Sequence, residues 1–299
     1  MAYSPTRILV ATDLGPSASE AVRQAGAQAR STGAKLGVCL AIPAGLGVHP
    51  LFPQVNQAEA EALSERRLHA EEALRAQVSA AVGDQPVEIF IEAGWPHAQV
   101  LRLAEEWRAD LVVVGARGAA APADVLLGQS AERIVRHAHC PVLIARPAPA
   151  GGRIVIGTDF SDPALPAVHA GVAEARRTGA RITLLHAIED SFGVTIQSGP
   201  TWEMPWITAP EQRREAQDAA RRWLDEALVL AGATGDAVVG FGDPATLLVA
   251  AAREGGAELV VVGTAGRTGL RRVLLGSVAE KVARTAPCSV LVVRLSPAN

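Results

Sequence analysis

The stretch ADLVVVGARG at residues 109–118 recurs as AELVVVGTAG at residues 257–266, 148 positions later. Each copy is a short β-branched run that ends in two glycines, the pattern of a buried strand that enters a turn. Two more pairs recur at nearly the same offset, RILVATDLGPSASEAV at Arg7 with RIVIGTDFSDPALPAV at Arg153, and HCPVLIAR at His139 with PCSVLVVR at Pro287. The chain therefore contains one unit of about 148 residues written twice.

The repeats divide the chain near its centre into two predicted domains. Its 299 residues are enough for about two domains of ordinary size. The boundary falls in ARPAPAGGR, Ala145–Arg153, whose proline and glycine content is typical of a short linker. We predict a first domain over residues 1–148 and a second over residues 149–299.

Short apolar runs alternate with longer amphipathic segments inside each unit. In the first unit these runs are Ile8–Thr12, Leu36–Ala41, Val87–Ile91, Leu111–Gly115 and Pro141–Ala145. Continuous apolar runs of this length indicate strands covered on both faces, and hence a parallel sheet. Between the runs, Ser17 with Glu20 predicts a helix capping box, and Ser161 followed by Pro163 predicts a proline in a first turn.

This pattern predicts the α/β fold class, with two tandem, Rossmann-like domains. Each domain is expected to contain a doubly wound, five-stranded parallel sheet. Right-handed crossovers favour the strand order 3-2-1-4-5 or 2-1-3-4-5, and we adopt the first as the prediction.

Composition argues against several classes of protein. Apolar residues make up 49% of the chain and charged residues 20%, which is ordinary for a globular protein and argues against disorder. The formal net charge is −3, with no basic face, and no apolar run reaches the ~18 residues of a membrane span. We expect a cytoplasmic protein with neither nucleic acid nor a membrane as a partner. Cys39, Cys140 and Cys288 lie in strand-like runs without CxxC spacing, so we interpret them as buried small residues.

The carboxyl ends of strands 1 and 4 carry the candidate ligand-binding residues. Ligands of open parallel sheets bind where the strand order reverses, which here is the crevice between those two strands. Strand 1 ends in Thr12-Asp13 or Thr158-Asp159, strand 4 ends in residues 115–118 or 263–266, and Gly128 or Gly276 follows nine residues later. Such glycines let backbone N–H groups approach an anion at a helix N-terminus. The spacing G-x2-G-x9-G predicts a phosphate-binding loop, and tight-turn glycines without a ligand are the alternative.

Together these motifs resemble the universal stress protein family. The order TD, VVVGTAG, nine residues, GSVAEKV and APCSVLVV is similar to the family pattern, and the similarity covers nearly the whole chain twice. More specifically, the chain resembles tandem-domain members of the ATP-binding type. The resemblance implies a nucleotide-binding stress-response or regulatory protein that acts with a protein partner unnamed by the sequence. Its ligand would be ATP, with ADP and AMP as alternatives, and Mg²⁺ would be held through the phosphates rather than by protein side chains.

The resemblance also assigns nucleotide-binding residues in both units. In the second unit they are Thr158, Asp159, Ala187, Val262, Gly263, Ala265, Gly266, Gly276, Ser277 and Val278. In the first unit they are Thr12, Asp13, Ala41, Gly115, Arg117, Gly118, Gly128, Gln129 and Ser130. The family places adenine against the strand-1 aspartate and the residue that ends strand 2, and phosphates against the glycines and a small hydroxyl residue. Because Gln129 replaces that hydroxyl residue, we expect a tight site in the second unit and a weaker or vestigial site in the first.

Two other classes of function stay open on the sequence alone. One is an ATP-hydrolysing or nucleotidyl-transferring enzyme of the same α/β superfamily, which requires a base or a metal-binding acid beside the phosphates. The sequence has no Walker motif and no GxSxG, and its one histidine pair with metal spacing, His137 and His139, has no third ligand nearby in sequence. We therefore expect no catalytic residue and at most weak ATPase activity. The other is an interaction scaffold with vestigial sites. The long segments Pro43–Gln54 and Asp190–Trp206 would then be lids or partner surfaces, or would only pack over a helix.

The last strand of each unit predicts how the two units associate. The runs PVLIA and SVLVV would each leave an unpaired apolar edge, and antiparallel pairing of the two edges would protect both. This arrangement is an intramolecular pseudo-dimer about a pseudo-two-fold axis, the dimer mode of single-domain family members, and it leaves a homodimer of whole chains open. Proteolytic cleavage near Gly151 should give halves that elute together in gel filtration. Separate monomeric halves would contradict this prediction.

Overall fold

The computed structural model describes residues 3–43, 53–118, 127–148, 152–189, 210–264 and 275–294, with the backbone alone for residues 53–60. The chain forms two compact units, Ser4–Pro147 and Ala148–Leu295. Most of the segment Pro43–Gln54 and all of Asp190–Trp206 lie outside the described residues. The two units contain the same kinds of elements in the same order, so the repeat in sequence is a repeat in fold.

The first unit is a five-stranded parallel sheet with four helices in its described residues. The strands are β1 (Arg7–Thr12), β2 (Lys35–Ile42), β3 (Val87–Ala93), β4 (Leu111–Gly115) and β5 (Val142–Ala145). The helices are α1 (Pro16–Thr32), α2 (Pro53–Val82), α3 (Pro96–Glu106) and α4 (Gln129–His137). Within this unit the strand order is β3-β2-β1-β4-β5 and every pairing is parallel. The predicted order 3-2-1-4-5 is confirmed.

The described residues of the second unit repeat this topology. Its strands are β6 (Arg153–Gly157), β7 (Arg181–Ile188), β8 (Gly235–Phe241), β9 (Ala257–Gly263) and β10 (Ser289–Val293). Its helices are α5 (Leu165–Thr178), α6 (Pro210–Leu230), α7 (Pro244–Glu254) and α8 (Ser277–Thr285). The strands are parallel in the order β8-β7-β6-β9-β10. Across both units, no helix in the described ranges has the length and apolar character needed to cross a membrane.

The central strands form the core of each unit because helices cover both of their faces. Ile8, Leu9 and Val10 of β1 are completely buried, and so are Ile154, Val155 and Ile156 of β6. Successive side chains of a strand point to opposite faces, so burial of three in a row requires cover on both sides. This is the arrangement that the continuous apolar runs predict.

The start of α1 differs from the prediction. Gly15 is the N-cap and Pro16 occupies the first turn, with no side-chain cap, so the predicted capping box of Ser17 and Glu20 is wrong. A proline fits the first helical position because the N–H that it lacks has no partner within the helix. Ser17 Oγ instead accepts a hydrogen bond from the Arg117 backbone N–H, with a donor–acceptor distance of 3.2 Å.

The start of α5 agrees with its prediction. Ser161 is the N-cap of a 3₁₀ turn, Asp162–Ala164, which contains Pro163 and leads directly into the helix.

The three cysteines are free and buried, which confirms their interpretation as small core residues. Burial, with a smaller contribution from the charge of Glu92, raises the pKa of the Cys39 thiol to about 12. The Cys39 thiol is therefore neutral at physiological pH, and it behaves as an apolar side chain.

Glu174 of α5 is a buried acid where α1 has an amide. Gln28 occupies the equivalent position, and the two side chains are 5% and 2% exposed. Burial raises the pKa of the Glu174 carboxyl above its ordinary value of 4.5, and nearby Glu258 adds to the effect. The Arg177 guanidinium lies 2.7 Å from the Glu174 carboxylate and offsets part of this rise in pKa.

Glu174→Gln should therefore raise thermal stability at pH 7. The pKa of Glu174 is higher in the folded state than in the unfolded chain, so the protonated carboxyl stabilises the fold fully below about pH 4.5. This stabilisation is lost as the pH rises through the raised pKa. Removing the charge should stabilise the fold by about 1 kcal/mol at pH 7 and by less in acid. Thermal unfolding across pH measures the difference. Glu71→Gln, which breaks an exposed pair with Arg75, is the control, and an unchanged or lower Tm at pH 7 for Glu174→Gln would contradict the prediction.

Candidate functional site

β1 ends in a bend that fixes Thr12 and Asp13 at the carboxyl edge of the sheet. Thr12 Oγ1 donates to Gln77 Oε1 (2.7 Å) and accepts from the Leu14 backbone N–H (3.0 Å). Asp13 Oδ1 accepts from the Gly15 backbone N–H (3.0 Å). Leu14 has a φ of 66°, which a bulky side chain rarely adopts. These side-chain hydrogen bonds hold the backbone in that conformation and place Asp13 at the edge where ligands of open sheets bind.

The glycines after β4 approach other backbone and side-chain atoms closely. A Cβ at Gly115 would lie 2.8 Å from the backbone carbonyl of Ser17, so the end of β4 has no room for a side chain. A Cβ at Gly118 would lie 3.3 Å from Asp13 Oδ2. The strand-1 aspartate and the glycine loop therefore stand on opposite sides of one narrow crevice.

Gly128 starts α4 at the same crevice. Its backbone N–H donates to the carbonyl of Ala116 (2.8 Å), and it is the N-cap of the helix. The first N–H groups of a helix have no partner within it and carry a partial positive charge. Gln129 and Ser130, the first residues of α4, line the crevice. The crevice is therefore suited to an anion.

These elements enclose a cavity of about 250 Å³ in the first unit. The nine residues assigned to this unit from the sequence all line it: Thr12, Asp13, Ala41, Gly115, Arg117, Gly118, Gly128, Gln129 and Ser130. The rest of the wall is apolar and was missed: Ala11, Ala18, Cys39, Pro96, Val100, Val114, Ala131 and Ile134. In the sequence these residues look like ordinary core positions, although Pro96 follows strand 3 at the predicted ligand edge.

β6 ends in the same bend as β1, with different support. Thr158 Oγ1 accepts from the Phe160 backbone N–H (3.2 Å), and Asp159 Oδ1 accepts from the Ser161 backbone N–H (3.0 Å). Phe160 has a φ of 62°. His186 Nδ1 lies 2.9 Å from the Thr158 carbonyl and therefore donates to it. Both units thus present an aspartate from a bend with a left-handed residue after it.

Aromatic contacts also support the second bend, beside these hydrogen bonds. The Phe160 ring lies 4.2 Å from the His186 ring and 5.4 Å from the Trp223 ring, between centroids. Sequence reasoning missed these three residues because they come from the β6–α5 connection, β7 and α6, and no local pattern joins them. In the first unit Gln77 of α2 makes the corresponding polar contact with Thr12.

Gly276 starts α8 as Gly128 starts α4. Its backbone N–H donates to the Thr264 carbonyl (2.9 Å), and a Cβ on it would lie 3.1 Å from the same oxygen. Ser277 follows as the exposed first residue of α8. Its hydroxyl group therefore stands at the helix N-terminus, where the first unit has Gln129.

The other residues assigned to the second unit lie near the ends of two strands, at the start of α8, or outside the described residues. Gly263 ends β9 and Ala187 is the next-to-last residue of β7, and both are partly exposed, as is Val278, whereas Val262 is buried. Ala265 and Gly266 fall outside the described residues, and so do three arginines that follow them in the sequence, Arg267, Arg271 and Arg272.

The units also differ where the helix after the third strand begins. Asp243 caps α7 by accepting from the Thr246 backbone N–H (2.8 Å), and Lys281 Nζ of α8 lies 2.8 Å from the same carboxylate. The hydrogen bond from Lys281 lowers the pKa of Asp243. In the first unit Trp95 takes this position, is 76% exposed and provides no side-chain cap. The ion pair between Asp243 and Lys281 therefore links α7 to α8. Trp95 cannot form such a pair at the equivalent position of the first unit.

Comparison with known proteins shows which family this chain is similar to. Residues 5–146 and 152–294 each match the model of the universal stress protein family. A universal stress protein of Methanocaldococcus jannaschii is 34% identical over 142 residues, which cover 48% of this chain and 81% of the relative. One of Mycobacterium tuberculosis is 33% identical over 195 residues, which cover 62% of each protein, so the match spans less than two thirds of that relative's length.

The fold itself is shared with a solved structure. The crystal structure of a universal stress protein from Archaeoglobus fulgidus superposes with a TM-score of 0.71, covering 98% of this chain and 99% of that chain. At 20% sequence identity, this similarity shows the fold alone.

Proposed function

The chain belongs to the universal stress protein family, and we propose that it is a nucleotide-binding stress-response or regulatory protein whose second unit holds ATP, with ADP and AMP as alternatives. The observation that carries this proposal is the start of α8. Gly276 is held against the Thr264 carbonyl, and the Ser277 hydroxyl follows at once. A glycine N-cap leaves the first N–H groups of the helix accessible to a phosphate.

The strand ends supply the rest of the proposed site. Adenine would lie against Asp159 and Ala187, and the phosphates against Gly263, Gly276 and the Ser277 hydroxyl. The support is that Asp159 follows β6 and Gly263 ends β9, the two strands on either side of the switch in strand order. Ala187 lies near the end of the neighbouring strand β7, and Gly276 and Ser277 start α8. Mg²⁺ would be held through the phosphates.

We propose binding rather than turnover as the role of this site. Asp159 Oδ1 accepts hydrogen bonds from both the backbone N–H and the hydroxyl of Ser161, so it is used in holding the bend. A general base must instead reach the proton that it removes. We therefore expect at most weak ATPase activity, far below the ~10 s⁻¹ of a typical enzyme. Release of inorganic phosphate from Mg·ATP measures this rate.

The ligand can be identified directly. Mass spectrometry of nucleotide released from the denatured protein should show an adenine nucleotide, and calorimetric titration with Mg·ATP should show one tight site per chain. Protein that carries no nucleotide and gives no binding signal with ATP, ADP or AMP would contradict the proposal.

A further inference from the structure

We infer that the exposed surface of α3 and α4 in the first unit is a docking site for an acidic segment of a protein partner. This surface, named the α3–α4 patch, consists of the side chains of Trp95, His97, Arg133 and His137. None of the four lines the cavity at the strand ends. The inference goes beyond nucleotide binding and does not depend on it.

Trp95 gives the patch a large apolar contact surface. Its side chain directly precedes α3 and is 76% exposed. Trp107 of the same unit is instead packed edge-on against Phe90, and its indole N–H donates to Glu88. Tryptophan is enriched at protein interfaces because its ring buries much apolar area against a partner. The exposed ring of Trp95 is therefore suited to contact with an apolar side chain of a partner.

The rest of the patch carries positive charge that no carboxylate of its own balances. Arg133 Nη1 donates to His97 Nε2 across 3.3 Å. Burial lowers the pKa of His97, and the positive charges of Arg133 and His137 lower it further. The acid beside Arg133 in α4, Glu132, pairs with Arg136 instead. Among the described residues, Arg133 has no carboxylate partner, so the patch is suited to one from another molecule.

The second unit fills the same place with a carboxylate of its own chain. The repeat puts Asp243 at the position of Trp95 and Lys281 at the position of Arg133. Lys281 Nζ lies 2.8 Å from the Asp243 carboxylate. The first unit thus presents the cation without the carboxylate that the second unit holds there. An acidic side chain of a partner would take the place of that carboxylate, beside Arg133.

The shape of the patch favours a protein segment over a small molecule. Trp95, Arg133 and His137 are all exposed, and a small ligand on an open surface would bury little of its area. A protein segment can place a carboxylate on Arg133 and an apolar side chain on Trp95 together. A nucleic acid fits less well, because Glu105 and Glu106 at the end of α3 are exposed and would repel a long phosphate backbone.

Fluorescence anisotropy with a labelled peptide tests this inference on the whole chain. The probe is a short glutamate-rich peptide with leucines at its centre, and the control is the same peptide with glutamine in place of glutamate. We expect the glutamate peptide to bind at least about tenfold more tightly than the glutamine peptide. This preference should decrease with added salt, because salt screens exposed charges.

Trp95→Asp introduces the residue that the second unit has at this position. The new carboxylate can pair with Arg133 as Asp243 pairs with Lys281, and aspartate is favoured as a helix N-cap. The fold should therefore be retained, which thermal unfolding verifies. We expect affinity for the glutamate peptide to fall by at least about tenfold. Arg133→Gln should lower it similarly, whereas Arg133→Lys, which keeps the positive charge, should retain binding.

Lys281→Gln is the matched control in the second unit and should leave peptide binding unchanged. Equal binding of the two peptides would overturn the inference, and so would unchanged affinity in both Trp95→Asp and Arg133→Gln. A single-stranded oligonucleotide that binds more tightly than the glutamate peptide, and is weakened by the same variants, would assign the patch to nucleic acid instead.

Titration of Trp95→Asp with Mg·ATP separates this inference from the proposed function. We expect this variant to lose peptide binding and to bind ATP as the wild type does. Loss of both in a folded variant would assign the peptide to the nucleotide site and overturn the inference. A wild-type chain that binds the glutamate peptide through Trp95 and Arg133 supports the inference even if it binds no nucleotide and the proposed function fails.

Discussion

Gly276→Val is expected to abolish ATP binding by the second unit while the fold is retained. The Cβ alone would lie 3.1 Å from the Thr264 carbonyl oxygen, which the Gly276 N–H holds in place. The two γ-carbons of valine would extend from there over the start of α8, where the phosphates are proposed to approach the backbone. We expect ATP affinity to fall by at least about 100-fold, measured by calorimetry.

The same geometry explains why the fold should survive. Gly276 has φ −62° and ψ 148°, which any L-residue adopts without strain. The remaining cost is the close contact with Thr264, on the order of 1–2 kcal/mol. Thr285→Val places valine at the other end of α8, where the threonine hydroxyl donates to the Lys281 carbonyl, and it should leave ATP affinity unchanged. Unchanged ATP affinity in Gly276→Val would refute the proposed site.

The fold could be predicted well because the sequence patterns of its strands are local and occur in both units. The apolar runs of β1 and β4 end where strong turn residues follow, and the structure keeps those ends at Thr12 and Gly115. β2 is longer than predicted at both ends, from Lys35 to Ile42, because pairing with neighbouring strands extends a strand past its apolar run. The capping box was predicted wrongly because Pro16 and Ser17 are both residues favoured at the start of a helix. The helix begins at Pro16, so Ser17 lies inside its first turn and is not the N-cap.

The site could be predicted only on its polar side. Strand ends and glycine spacing are visible in a linear sequence, and they account for Asp13, Gly118 and Gly128 at one cavity. Its apolar wall includes Cys39 and Val100, which come from β2 and α3 and look like any other core residue in the sequence. The contact of Phe160 with Trp223 joins segments more than sixty residues apart. Packing partners of this kind follow from the tertiary fold rather than from a local pattern.

The chain is expected to bind one ATP with high affinity, in the second unit, because the two glycine loops differ in charge. Arg267, Arg271 and Arg272 lie between Gly266 and Gly276 in the sequence, while the first unit has Asp124 and no basic residue between Gly118 and Gly128. These loop residues fall outside the described part of the structure, so the prediction rests on the sequence. Gln129 in place of Ser277 also removes a small hydroxyl from the phosphate end of the first unit.

Charge-assisted hydrogen bonds from arginine to phosphate are each worth about 1.5–3 kcal/mol, so three of them separate the two units by several kcal/mol. Replacing Arg267, Arg271 and Arg272 together by glutamine should therefore lower ATP affinity by at least about 100-fold. It should also weaken the salt dependence of binding, since fewer charges meet the phosphates. Arg253→Gln, an exposed change at the end of α7, is the matched control and should alter neither quantity. Two equal ATP sites in a titration, or a crystal with ATP in the first unit alone, would show that loop charge does not decide which unit holds the triphosphate.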